Sequence, residues 1–212
     1  MSIKTILFDL DGTLIDTNEL IIQSFAHTLK HHLNREFSRE EILPFMGPPL
    51  KDTFEKLLPD QVDEMIATYR EYNLTHHDSL VKSYDGVNDT IKTLHEKGYP
   101  MAIVTTKMRD TAIRGLKLMK LDTFFDVVIG LDDVTRAKPD PEPVLKGMNA
   151  LGGKPETTIM IGDNMHDIVA GKNAGMKTAG VAWSAKGRDF IESLEPDYIL
   201  DHISQLIDIV EE

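Results

Sequence analysis

Ile6-Leu7-Phe8-Asp9-Leu10-Asp11-Gly12-Thr13 is the stretch from which the fold can be read. An apolar run of strand character stops at an acid and a second acid follows two residues on. Gly12 then permits backbone dihedrals that other residues resist, as a sharp exit from a strand requires. Runs of the same kind recur at Ala102-Ile103-Val104, Val127-Val128-Ile129, Ile159-Met160-Ile161 and Ala179-Gly180-Val181. They are apolar throughout rather than alternating, which suits strands buried on both faces of a parallel sheet. Helical patterns lie between them. Val87, Ile91 and Leu94 fall at i, i+4 and i+7 with Gly98 as a C′ residue, and Asp140-Pro141 reads as an N-cap followed by the first helical position. Strand and helix in alternation predict an α/β fold, a Rossmann-like doubly wound parallel sheet with helices on both faces.

Residues 17–80 break this rhythm, with helical stretches and no strand-like run between them, and with a turn at Met46-Gly47-Pro48-Pro49. Ser38-Arg39-Glu40-Glu41 has the form of a capping box, and Val62, Met65, Ile66 and Tyr69 share one helical face. The predicted organisation is a core domain of residues 1–16 and 81–212 with an inserted α-helical cap domain of residues 17–80. The chain has 212 residues, 41% of them hydrophobic, so its core needs no staple, and zero cysteines exclude disulfides and thiolate metal sites. A formal charge of −12 argues against a nucleic-acid partner, since affinity for a phosphate backbone comes from Lys and Arg. The longest apolar runs are about five residues, far short of a membrane span. No leader peptide is visible, and the cytoplasm is the expected compartment. Oligomeric state has no signature here.

In open α/β sheets the ligand crevice lies beyond the carboxyl ends of the strands, so the residue ending each run is informative. The first run ends at Asp9, the second at Thr105, and the fourth at Gly162-Asp163, while Lys138 follows the third. Each alone has an ordinary explanation as a turn residue, a helix cap or a loop lysine. Together, at one sheet edge, they match the needs of phosphoryl transfer. Asp9 can attack phosphorus, and Asp11 can protonate a leaving oxygen and then activate water. Asp163 adds a third carboxylate, which calls for a cation, and Mg²⁺ suits hard oxygen ligands. Thr105, with the Thr106 N–H at an expected helix N-terminus, suits a phosphate oxygen, and Lys138 can offset charge that develops in the transition state.

With these residues the chain resembles the haloacid dehalogenase superfamily, whose motifs correspond to Asp9-Leu10-Asp11-Gly12-Thr13, Thr105, Lys138 and Gly162-Asp163-Asn164-Met165-His166-Asp167. The resemblance implies a nucleophilic Asp9, an acid/base Asp11, and Mg²⁺ held by Asp9, Asp163 and the Asp11 backbone carbonyl, with Asp167 and Asn164 in support. It also implies that residues 17–80 are a cap. Asp16-Thr17-Asn18-Glu19-Leu20, Phe45-Met46-Gly47-Pro48 and Lys138-Pro139-Asp140-Pro141-Glu142-Pro143 are similar to segments of the family's bacterial pyrophosphatases. That narrower likeness implies hydrolysis of inorganic pyrophosphate, formed when Ser-phosphorylated HPr is dephosphorylated by phosphorolysis. Phosphoglycolate phosphatases share the same motifs and are the alternative, and a phosphomutase of the same fold is a further one. A ligand of such dense charge should need cations beyond Lys138. Lys107 is the first candidate, with Gly12 at the phosphate and Lys51 and Arg109 as weaker candidates. His76, His77 and His166 lack metal-ligand spacing partners and are expected to be solvated or locally hydrogen-bonded.

Overall fold

The computed structural model describes residues 2–212. In chain order its elements begin with β1 (Thr5–Phe8), β2 (Ile15–Asp16), the helices α1 (Asn18–Leu33), α2 (Arg39–Ile42), α3 (Leu50–Leu57) and α4 (Val62–Leu80), and β3 (Lys82–Ser83). There follow α5 (Val87–Glu96), β4 (Met101–Val104), α6 (Arg109–Leu118), β5 (Val127–Ile129) and α7 (Glu142–Ala150). The last are β6 (Thr158–Gly162), α8 (Met165–Asn173), β7 (Lys177–Val181), α9 (Arg188–Ser193), β8 (Tyr198–Leu200) and α10 (Gln205–Glu211). The chain divides into a sheet-bearing unit, up to Asp16 and from Ser83 to Glu212, and a helical unit, Thr17–Lys82.

The sheet has six parallel strands in the order β5-β4-β1-β6-β7-β8. The first strand is thus central. From β1 the chain builds outward through β4 to β5, then crosses back to β6 on the other side of β1, so the winding reverses at β1. The carboxyl end of such a switch point opens a crevice. Register aligns the strand ends, with Phe8 opposite both Ile103 and Ile161, Val104 opposite Ile129 and Gly162 opposite Gly180. Right-handed crossovers assign α5 and α6 to one face and α7, α8 and α9 to the other. On the latter face Leu7, Val104, Ile129 and Met160 pack with Val144 and Met148 of α7 and Ala170 of α8. In the helical unit Phe25 is the hub, with ring centroids 5.0 Å from Tyr69 and 5.8 Å from Phe54. The capping box at Ser38 forms, with the Glu41 N–H on Ser38 Oγ and Glu41 Oε2 on the Ser38 N–H.

Two local expectations need correction, and a third is met. The sequence yields five sheet strands and the structure has a sixth, β8, whose three residues follow directly on Pro196-Asp197 and are too few for a periodic signal. Helix α7 begins at Glu142 rather than Pro141, although Asp140 Oδ1 still accepts the Glu142 N–H at 2.9 Å. His77 takes the second of the two states expected for it, a local hydrogen bond. It is fully buried on α4 and bonded locally through Nδ1 to Asp78 Oδ1 at 2.8 Å. His76 stacks on Tyr72 with centroids 4.0 Å apart.

Gly147 of α7 lies so close to the sheet that an added Cβ would sit 2.9 Å from Val104 Cγ2. In an exposed helix Gly→Ala adds about 1 kcal/mol of stability. Here overpacking reverses the sign, and Gly147→Ala should lower stability by about 1–3 kcal/mol. Urea unfolding measures this, and a midpoint shifted upward would show that β4 yields to the added methyl.

Candidate active site

The residues that follow the aligned strands meet at one edge. Asp9 continues the β1 ladder by donating its N–H to Ile161 O at 2.8 Å, and Thr105 does the same after β4 with Ile129 O at 2.9 Å. After Asp9 the chain folds back on itself, with the Gly12 N–H on Ile15 O at 2.8 Å. Gly12 has φ +82°, and a Cβ there would stand 2.5 Å from Asp163 Oδ2. Glycine is therefore required twice over, by the backbone and by the acid beside it.

Lys138 is at the centre. Its side chain is 2% exposed, and its Nζ donates to Asp9 Oδ1 at 2.8 Å, Asp167 Oδ1 at 2.6 Å and Val104 O at 2.7 Å. All three donors of the ammonium are thus used. Burial disfavours its charge, but the carboxylates of Asp167 and Asp9 outweigh that and hold its pKa above the ordinary lysine value. Asp167 uses both oxygens, Oδ1 for Lys138 and Oδ2 for the Asn164 N–H at 3.1 Å at the start of α8. Gly162 leaves the room this needs, since a Cβ there would overlap Asp167.

Asp9, Asp163 and Asp167 are all buried and bring one carboxylate oxygen each within 4.8 Å of the others, a cluster able to hold a metal ion. Lys138 is bonded to two of these three acids. Burial pushes the Asp9 carboxyl up to about 7, against the pull of Lys138, with Asp167 and Asp11 adding to the rise. Asp163 is raised well above the ordinary carboxylate range, again first by burial and then by Asp9 and Asp167. A hard, all-oxygen donor set with excess negative charge fits Mg²⁺ and offers nothing to a soft metal.

The remaining predicted residues divide. Asp11 lies outside the acidic cluster with its carboxylate on Lys107 Nζ at 2.6 Å, a charge-assisted bond between side chains only 15% and 14% exposed. Asp167, read from sequence as a support, is the third acid of the cluster. Thr105 is buried at its strand end, and its hydroxyl accepts the Lys107 N–H at 3.1 Å. Thr106 is not at a helix N-terminus as expected, because α6 begins only at Arg109. The tight Thr105–Lys107 turn comes first. Arg109 is turned away, with Nε on Val128 O at 3.2 Å. Lys51, on α3 of the helical unit, is exposed and 3.9 Å from Glu55. His166 Nδ1 is 3.3 Å from Asn164 Oδ1.

Sequence reasoning overlooks the loop after β7. Trp183 Nε1 donates to Thr13 O at 3.3 Å, Ser184 Oγ donates to Asp163 O at 2.8 Å, and Lys186 Nζ donates to Asn164 Oδ1 at 3.3 Å. Burial lowers the Lys186 pKa, partly offset by Asp163 and Asp167. The signal was available, since Ala179-Gly180-Val181 is itself an apolar run and the residues after it merit the same scrutiny as the others.

Residues 6–181 match the family of haloacid dehalogenase-like hydrolases. The chain belongs to that family, and so is a hydrolase built on its α/β core. Pyrophosphatase PpaX of Anoxybacillus flavithermus is 60% identical to it, covering 99% of this chain and 98% of that protein. Pyrophosphatase PpaX of Halalkalibacterium halodurans is 56% identical over the same shares. A solved haloacid dehalogenase-like hydrolase from Streptococcus pneumoniae superposes with a TM-score of 0.86 at 28% identity, covering 97% of each chain.

The carboxyl of Asp9 titrates near 3.8 ordinarily and near 7 in the fold, so between those values the folded protein keeps a proton that the unfolded chain has released. Stability of the metal-free protein should therefore fall as pH rises through that window and level off above it. A divalent cation relieves the same repulsion and competes with the proton. Mg²⁺ should accordingly raise the melting temperature by several degrees at about pH 8 and much less at about pH 5. Thermal melts with and without Mg²⁺ decide this; equal rises at both pH values, or an undiminished rise in Asp163→Asn, would place the cation elsewhere.

Proposed function

We propose that this protein hydrolyses inorganic pyrophosphate to phosphate in a Mg²⁺-dependent reaction that passes through a phosphoaspartate on Asp9. The observation that carries the mechanism is the placement of Asp9 at the sheet's switch point, held by Lys138 at 2.8 Å beside a buried acidic cluster. The substrate is inferred from the two PpaX relatives, which match the chain over nearly its whole length.

In this reading an Asp9 carboxylate oxygen bonds to one phosphorus, the bridging P–O bond breaks, and phosphate departs with the bridging oxygen. Asp9, Asp163 and the Asp11 carbonyl would hold Mg²⁺, which would supply positive charge to offset that of the carboxylates and the transferring phosphoryl group. Lys138 holds Asp9 Oδ1 and offsets charge on the transferring group, and the Thr105 hydroxyl donates to one of its oxygens. Asp11 gives a proton to the leaving phosphate where one is needed. It then takes a proton from the water that attacks the acyl phosphate, restoring Asp9 and releasing the second phosphate. Lys107 holds the Asp11 carboxylate in place through this exchange. A cytoplasmic setting, with pyrophosphate released by phosphorolysis of Ser-phosphorylated HPr, is the physiological context that the family resemblance implies.

Two measurements test this. Asp9→Asn should lower kcat by about three orders of magnitude or more, because the amide cannot form the acyl phosphate. Substantial residual turnover would refute the nucleophile. In a phosphate-release panel with Mg²⁺, kcat/KM for pyrophosphate should exceed that for phosphoglycolate and for sugar phosphates by at least about tenfold. A preference for an organic monoester would overturn the substrate and leave Asp9 standing.

A further inference from the structure

Two lysines on the carboxyl edge of the sheet hold the acids of the site. Lys138 donates to Asp9 and Asp167, and Lys107 donates to Asp11. Both are committed to holding the acids that perform the chemistry. A substrate of two phosphates places one group on Asp9 and leaves a second, equally charged group beyond it. That group needs a cation of its own.

Lys186 is built to stand there. The loop that carries it is fastened to both acidic turns of the site. Its Trp183 indole reaches the Thr13 carbonyl on the turn after β1, and its Ser184 hydroxyl reaches the carbonyl of Asp163 after β6. The Ser184 oxygen also accepts the Lys186 N–H at 3.2 Å, which fixes the backbone of the lysine itself. From that anchor Nζ reaches the neutral amide oxygen of Asn164, the residue after Asp163, and stands 5.1 Å from the Phe190 ring centroid. The ammonium therefore approaches the acidic cluster by way of Asn164, from a different loop than Lys138.

We propose that Lys186 binds the distal phosphate, the one that leaves when Asp9 is phosphorylated, and thereby sets a preference for substrates carrying a second phosphate. This rests on the pyrophosphate reading above and adds a residue that determines specificity. Binding to the departing group holds the bridging bond in line with Asp9 and stabilises the charge that the leaving phosphate gains as the bond breaks. A simple phosphomonoester has no group at that position and draws little from Lys186.

The test uses the full chain with saturating Mg²⁺ and two substrates, pyrophosphate and p-nitrophenyl phosphate, on the wild type, Lys186→Met and Lys186→Arg. Lys186→Met should lower kcat/KM for pyrophosphate by at least about tenfold, and that for p-nitrophenyl phosphate by less than about threefold. Lys186→Arg, which keeps the charge, should recover most of the pyrophosphate rate. Equal losses on both substrates, or no loss on either, would overturn the role of Lys186, as would a Lys186→Arg variant no better than Lys186→Met. If Lys186→Met does not fold, Lys186→Gln takes its place, with the same losses expected and the same outcomes overturning the assignment. A wild type that prefers the monoester instead overturns the pyrophosphate reading, and this inference with it, and that result comes from the unmodified protein.

Discussion

The site depends on one buried ammonium. Lys138 Nζ joins three segments distant in sequence, the end of β1 through Asp9, the end of β4 through the Val104 carbonyl, and the start of α8 through Asp167. No water is needed to complete its bonding, since it has three protons and three acceptors. A buried ion pair of this kind adds little net stability compared with apolar residues of the same volume. Removing one member, however, leaves buried charge without compensation, typically at a cost of about 3–5 kcal/mol. The lysine is best understood as fixing the geometry of the acids, and the remaining negative charge leaves a cluster able to hold a cation.

That surplus accounts for the other features of the edge. Acids at this density repel, and each is held by something other than its neighbours: Asp167 by the Asn164 N–H, Asp11 by Lys107, and the turn of Asp163 by Ser184. Two glycines complete the arrangement by omission. Gly12 leaves space for the Asp163 carboxylate and Gly162 for that of Asp167.

Most of the fold can be read from the sequence because a parallel sheet buried on both faces leaves uninterrupted apolar runs, and such runs stand out without any periodicity argument. The same property makes the strand ends legible, and with them the positions of Asp9, Thr105, Lys138 and Asp163. What escapes is local or relational. The edge strand β8 is too short to register, and α6 starts at Arg109, whose N–H is taken by Asp132, a partner 23 residues away that no propensity reveals. Lys107 illustrates the relational limit. Its proximity to the site follows from its place in the chain, but its pairing with Asp11, 96 residues away, follows only from the register of β1 and β4.

The strand order carries a consequence for how the molecule is made. β1 is synthesised before every other strand, yet it lies at the centre of the sheet and cannot be paired on both sides until β6 exists. At ribosomal rates of about 5–20 residues per second, that interval is on the order of ten seconds. Throughout it Ile6, Leu7 and Phe8 have no permanent neighbour on one side. The helical segment Thr17–Lys82, which closes its contacts locally, can take shape during the wait. The nascent chain would then carry a finished helical unit beside an unpaired strand, the stage at which a chaperone has most to offer.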